Sequence, residues 1–219
     1  MMRLSRCNGT PNIGVYATVN ESLSLVAANS APGFVRDIET VLGVETIFTT
    51  VSGTFVIGSL VRMNSNGAVV SGLIETSELE KIREKIPVTV LPDKVNAAGN
   101  NILANDKGAI INPELGARGE KRIADALGVE VVRSAIGGYG TVGSACVATN
   151  KGCLCNVEAS PEDIALIEDV LGVEAKKGSV NHGSRQVGAG ILCNSKGAIV
   201  GDETTPIEMG KIEDGLVLY

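Results

Sequence analysis

One histidine and five cysteines are the side chains here best suited to covalent chemistry. His182 lies in Val180-Asn181-His182-Gly183-Ser184-Arg185, a polar loop. Beside a thiol, an imidazole can take the proton that turns cysteine into a nucleophile. Cys193, next to Asn194, is the partner least at odds with that role. The other cysteines lie inside predicted strands, and no acidic cluster surrounds His182 in sequence. The reading that outweighs this pair is a surface histidine that serves its own turn. Cys153 and Cys155 alternate on a predicted strand and so share a face, but a zinc site needs further ligands at recognised spacings. Cys7, Cys146 and Cys193 stand alone, and Cys153 holds the place that Ala68, Ala109 and Ala198 hold elsewhere, as small buried filler would. Gly138-Tyr139-Gly140-Thr141-Val142-Gly143 matches the dinucleotide pattern G-x-G-x-x-G. That pattern works only where a helix begins directly after it, and here a strand, Ser144 to Ala148, is expected. No catalytic residue, cofactor site or metal site is assigned.

The elements that carry these residues repeat. Gly14, Gly58, Gly99, Gly143 and Gly188 recur 44, 41, 44 and 45 residues apart, and the last four are each followed nine residues later by Gly67, Gly108, Gly152 or Gly197. The first copy has Leu23 at that second position. A period of this size means one supersecondary unit copied around a ring or along an array. Each glycine pair brackets a predicted hairpin, whose turn is Asn-first and Gly-fourth in Asn64-Ser65-Asn66-Gly67, Asn105-Asp106-Lys107-Gly108 and Asn194-Ser195-Lys196-Gly197; the fourth copy has Thr149-Asn150-Lys151-Gly152, and the first, Asn20-Glu21-Ser22-Leu23, keeps only the Asn. Read this way, the first glycines sit on an inner strand, where they let backbones approach near a pseudo-fivefold axis. The Asn turns place similar polar groups around one rim.

A helix is predicted after each hairpin from apolar residues at helical spacing, such as Phe34, Ile38, Val41 and Leu42. Ser77 with Glu80, Asn112-Pro113 and Ser160-Pro161 read as starts. Gly43, Gly128 and Gly172 read as left-handed stops, while the copy with Gly58 and Gly67 has Lys85-Ile86-Pro87 instead. The last helix, after Thr205-Pro206, is interrupted by Gly210 and Gly215. A short strand follows each stop. The unit is strand, strand, strand, helix, with approximate copies at 1–44, 45–86, 87–129, 130–173 and 174–219. A unit of this size is too small to hold a core alone, so the chain is expected to be one α/β domain. Closure is expected because no terminal copy is unusually polar, with the first strand, Arg3 to Cys7, meeting the C-terminal segment.

The net charge is −6 with a sequence pI near 4.9. That argues against a surface that grips nucleic acid throughout, but leaves room for docking on a basic protein. The start, Met1 to Arg6, has no apolar run behind it, and no stretch is long and apolar enough to span a membrane. A cytoplasmic monomer with reduced thiols is expected, with no DNA and no membrane among its partners. Closed five-unit rings include enzymes that attack guanidinium groups with a Cys–His pair. A guanidine-modifying hydrolase or transferase using His182 and Cys193 is therefore the alternative function.

Nearly the whole chain resembles the archaeal and eukaryotic translation initiation factor six family. The likeness rests on Asn12-Ile13-Gly14, Val61-Arg62-Met63-Asn64 with Gly67, and Ala98-Gly99-Asn100. It continues in Ile123-Ala124-Asp125-Ala126-Leu127-Gly128-Val129-Glu130-Val131, in Val180-Asn181 with Gly183-Ser184, and in Thr204-Thr205 with Glu208. The end at Tyr219 suggests an archaeal member without the longer eukaryotic tail. The resemblance implies a pentein, or β/α-propeller, of five pseudo-symmetric units closed in a ring with no active site. It implies binding to the large ribosomal subunit through a basic ribosomal protein near the sarcin–ricin loop, with ribosomal RNA as a further contact. The bound factor would block small-subunit joining sterically. By the same resemblance Ser59, Asn64 and Asn100 are the candidate ribosome contacts, although Ser59 is small where relatives can carry a long basic side chain.

Overall fold

Each predicted hairpin is present, and each is completed by a third strand lying parallel to its second. The computed structural model describes residues 1–92 and 94–219. Among them are five three-stranded sheets. The first joins Ala17–Val19, Leu23–Ala27 and Glu45–Thr49. The second joins Val61–Met63, Ala68–Ser71 and Val88–Leu91, and the third Ile102–Ala104, Gly108–Ile111 and Glu130–Arg133. The fourth joins Cys146–Ala148, Gly152–Asn156 and Glu174–Gly178. In the first four sheets a long helix connects the hairpin to its parallel strand, the crossover that parallel pairing requires. The fifth joins Ile191–Asn194 and Gly197–Gly201 to Met2–Ser5 from the other end of the chain. The expected closure is therefore made by a parallel strand. Arg3 and Ser5 also bond Asp37, and Arg6 pairs with Asp202.

The three strands that precede a helix in sequence do not form one sheet, because the first of them completes the sheet before. The packing follows the same pattern. Strand side chains alternate between faces, and each apolar cluster takes residues from two neighbouring sheets and one helix. Val69 and Leu91 of the second sheet meet Ile102 and Ile111 of the third under Ile123 and Leu127. Leu103 and Ile110 of the third meet Cys146 and Cys153 of the fourth under Ile167 and Leu171. Leu192 and Ile199 of the fifth meet Val26 of the first under Phe34, Ile38 and Leu42. Each helix seals a seam, and no sheet has a core to itself.

The first glycines also differ from expectation. They lie on single helical turns that precede the hairpins, not on an inner strand: Ile13–Val15, Ile57–Leu60, Ala98–Asn101, Val142–Ala145 and Val187–Gly190. The pattern Gly138 to Gly143 accordingly ends inside a single helical turn, Val142–Ala145, and the strand starts at Cys146 instead of Ser144. Backbone contact decides this geometry. A Cβ built on Gly58 would stand 1.9 Å from the Gly14 carbonyl oxygen, and one on Gly99 1.8 Å from that of Gly58. Gly143 would meet Gly99 at 2.1 Å, Gly188 would meet Gly143 at 2.1 Å, and Gly14 would meet Gly188 at 2.2 Å. The series returns to its start, so the ring is closed about an axis of glycine backbones.

The left-handed stops at Gly43, Gly128 and Gly172 are present, as is the Ser160 cap. Two starts move. The helix expected from Ser77 begins at Thr76, and the reciprocal carboxylate is Glu78, which accepts from the Glu75 N–H. Glu78 also accepts from Thr50, Ser52 and Gly53 across the seam, contacts that Glu80 does not make. Asn112-Pro113 forms a turn, with Asn112 bonded to Asn101 and the Glu114 N–H, and the helix starts at Ala117. The last helix runs unbroken from Pro206 to Leu216, with Glu208 playing the part of Glu78. Glu208 accepts from Thr205, Ser179 and the N–H groups of His182 and Gly183. Burial would raise its pKa, but these donors outweigh that and hold it near 2, against an ordinary 4.5.

Removing residues 1–6 strips the fifth sheet of its third strand and is expected to lower the melting temperature by roughly 10 °C or more; an unchanged melt would count against closure. Gly99→Ala is expected to cost about 3 kcal/mol or more by backbone clash. Gly210→Ala, at an exposed helical position where a Cβ meets nothing within 4 Å, should stabilise by about 0.5–1 kcal/mol; urea denaturation compares the two. Because the Glu208 pKa is depressed in the fold, its stabilisation is present above pH 4.5 and lost as the pH falls towards 2. Glu208→Gln should therefore lose about 1–2 kcal/mol at pH 7, allowing for solvent screening, and show a shallower acid limb in thermal melts.

Candidate functional site: the two mouths of the ring

The strands nearest the axis are short, three or four residues each, and run from the helical turns at one mouth of the ring to the hairpin turns at the other. At the hairpin mouth the side chain of each turn Asn works twice. Asn64 Oδ1 accepts from the N–H groups of Asn66 and Gly67, as the predicted turn requires. Its Nδ2 donates to the Asn105 carbonyl at 3.1 Å and to the Leu127 carbonyl at 2.8 Å, a helix-end acceptor that Asn66 Nδ2 also reaches at 2.8 Å. Asn105 donates likewise to Thr149 and Leu171, and Asn194 to Asn20 and Leu42. Asn20 donates to the Asn64 carbonyl at 2.8 Å. Thr149 has no amide to continue the series. Beside it, Asn150 donates to Asp106, which also accepts from Ser65, while Glu21 binds Ser195.

The opposite mouth is formed by the helical turns. Ser59, Asn100, Ser144 and Ala189 line a shallow depression over the glycine axis. The structure therefore brings Ser59 and Asn100 together, half-buried, on one face. It separates Asn64 from them: that residue is only 3% exposed at the other mouth, and its amide is spent on the ring. The bonds of Asn64 hold two turns and a helix end.

The nucleophile pair is not assembled. His182 is an exposed residue of a tight turn with φ of 63°, and its N–H is held by Glu208. Cys193 lies buried by the axis, its pKa pushed up to about 12 by burial despite the nearby Arg62. Burial likewise pushes Cys155 up to about 11 and raises Cys146 and Cys153, so these thiols stay protonated. Cys153 packs in the seam under Ile167 and Leu171. Among the described residues no three His, Cys, Asp or Glu side chains group as metal ligands, and no helix is long and apolar enough to cross a membrane.

Arg62 was not singled out by the sequence reading. It crosses the axis between the mouths, and its Nη2 donates to the Gly99 carbonyl at 2.8 Å and the Gly143 carbonyl at 3.2 Å. Its alternation between Val61 and Met63 signals only a side chain facing away from the seam. The axis to which that face points is created by the whole ring.

Comparison with known proteins agrees with this architecture along its length. Residues 2–215 match the eIF-6 family. Translation initiation factor 6 of Archaeoglobus fulgidus is 46% identical over 209 residues, covering 95% of this chain and 97% of that protein. Translation initiation factor 6 of Methanocorpusculum labreanum is 44% identical over 210 residues, covering 94% and 95%. That of Methanococcoides burtonii is 44% identical over 216 residues, covering 99% of each chain. With a five-fold repeated ring matched from end to end by archaeal translation initiation factors, this chain belongs to the eIF-6 family.

Proposed function

We propose that this protein binds the large ribosomal subunit in the cytoplasm and, by occupying the joining surface, keeps the small subunit away. The full-length match to proteins named translation initiation factor 6 carries the reading. Physical features support it. A ring closed through its own backbone loses little conformational freedom on docking. Its charge of −6 favours a basic protein as the principal partner over bare phosphate, so a basic ribosomal protein near the sarcin–ricin loop supplies most of the contact, with RNA at the margin. The mouth carrying Ser59 and Asn100 is the contact face. Asn64 serves it indirectly, by keeping the ring in shape. The single domain acts as a monomer and without turnover. Bound factor makes subunit joining less favourable by RT ln(1 + [factor]/Kd), the linkage that governs any one-sided ligand.

The purified protein is expected to co-sediment with archaeal large subunits and to reduce their association with small subunits in sucrose gradients. Asn100→Lys and Ser59→Trp should each weaken co-sedimentation by about tenfold or more, the effect of an unfavourable group in an interface centre, with unchanged melting. Protein that stays at the top of a gradient containing large subunits would overturn the proposal.

A further inference from the structure

Arg62 lies half-buried at the axis with its charge incompletely matched. Nη2 is satisfied by two backbone carbonyls. Nε is buried with no partner. Nη1 makes no hydrogen bond among the described residues and is not sealed off as Nε is, so it borders free space. No carboxylate of a described residue lies within ion-pair distance. Two acids, Glu21 and Asp106, line the adjoining hairpin mouth and are held there by Ser195, Asn150 and Ser65. Loss of water without a counter-charge disfavours the cation, and burial lowers the Arg62 pKa to about 10. The guanidinium is still charged at neutral pH.

Next to it lies a cavity of about 40 Å³. By the same measure one water needs roughly 10–15 Å³, so a few waters or one small ion fit. Donors border the space. Thr18 is buried, its hydroxyl has no protein partner, and it lines the cavity without being sealed off. Cys193 lines it as a protonated thiol, a weak donor. Val147, Ile191 and Leu192 supply apolar wall. A positive charge, a free hydroxyl and a thiol around a small, partly apolar void are the chemistry of a halide site.

We propose that the axial cavity of the ring binds a small monovalent anion, chloride in the cell, between Arg62 and Thr18. This site is independent of the ribosomal reading. The ion supplies the counter-charge that the protein does not, and it fixes the guanidinium that links the Gly99 and Gly143 turns.

Bromide is the probe. Crystals of the full chain grown in sodium bromide should show an anomalous peak at hydrogen-bond distance from Arg62 Nη1 and Thr18 Oγ1. In solution, replacing gluconate by bromide at constant ionic strength should raise the melting temperature by about 3–5 °C for each tenfold increase above the dissociation constant. Arg62→Met should abolish both signals, and Thr18→Val should weaken them in a protein that keeps the arginine. If Arg62→Met does not fold, the wild-type crystal and Thr18→Val decide alone. Water in place of bromide beside Arg62, or a bromide response unaltered in the variants, would overturn the proposal.

Discussion

Five glycine backbones touching in a circle are the constraint on which this molecule depends. Each glycine carbonyl occupies the space where the next glycine's side chain would be. No other residue has room there, so the spacing of these glycines sets the radius of the ring and the angle between units. The helical turns exist because the chain must pass this close approach before starting each hairpin. Closure then leaves little freedom at the axis, and hydrogen bonds from Asn20, Asn64, Asn105 and Asn194 make four of the five turn-to-turn links at the other mouth.

Seam packing follows from that geometry. Strands are too short to hold a core within one sheet, and their alternating side chains feed two different clusters. Each helix lies over a seam, and carboxylates such as Glu78 and Glu208 tie helix starts to the turns they face. A unit removed from the ring would expose apolar side chains on both flanks. The protein is therefore built as one circular cooperative system, and its terminal strand is as central to it as any other.

Much of this architecture was legible in the residues. The Asn-first turns, the left-handed Gly43, Gly128 and Gly172, and the closure by the first strand follow from local chemistry or from repetition. The helical turns were not legible, because four residues such as Val187-Gly188-Ala189-Gly190 have no helical propensity of their own and are shaped by neighbours far off in sequence. Glu78 was obscured by Ser77 and Glu80, whose spacing also suits a capping box; contacts with Thr50 and Gly53 chose between them. At the candidate site, Ser59 and Asn100 fall together while Asn64 does not. The repeat equates positions within units, but does not say that nearby positions sit at opposite mouths. Arg62 was invisible for the same reason, since a charge on a short strand reads as solvent-facing until the strands enclose an axis.

A rigid ring suits the proposed role of occupying space on a partner, because its contact face is formed before the partner arrives. Native-state hydrogen exchange tests the underlying claim of circular cooperativity most directly. If the ring is one closed system, slow amides in Met2–Ser5, Leu23–Ala27 and Gly197–Gly201 should share one opening free energy, that of global unfolding. Exchange of Met2–Ser5 through a separate, much lower-energy opening, with the other strands still protected, would contradict the account.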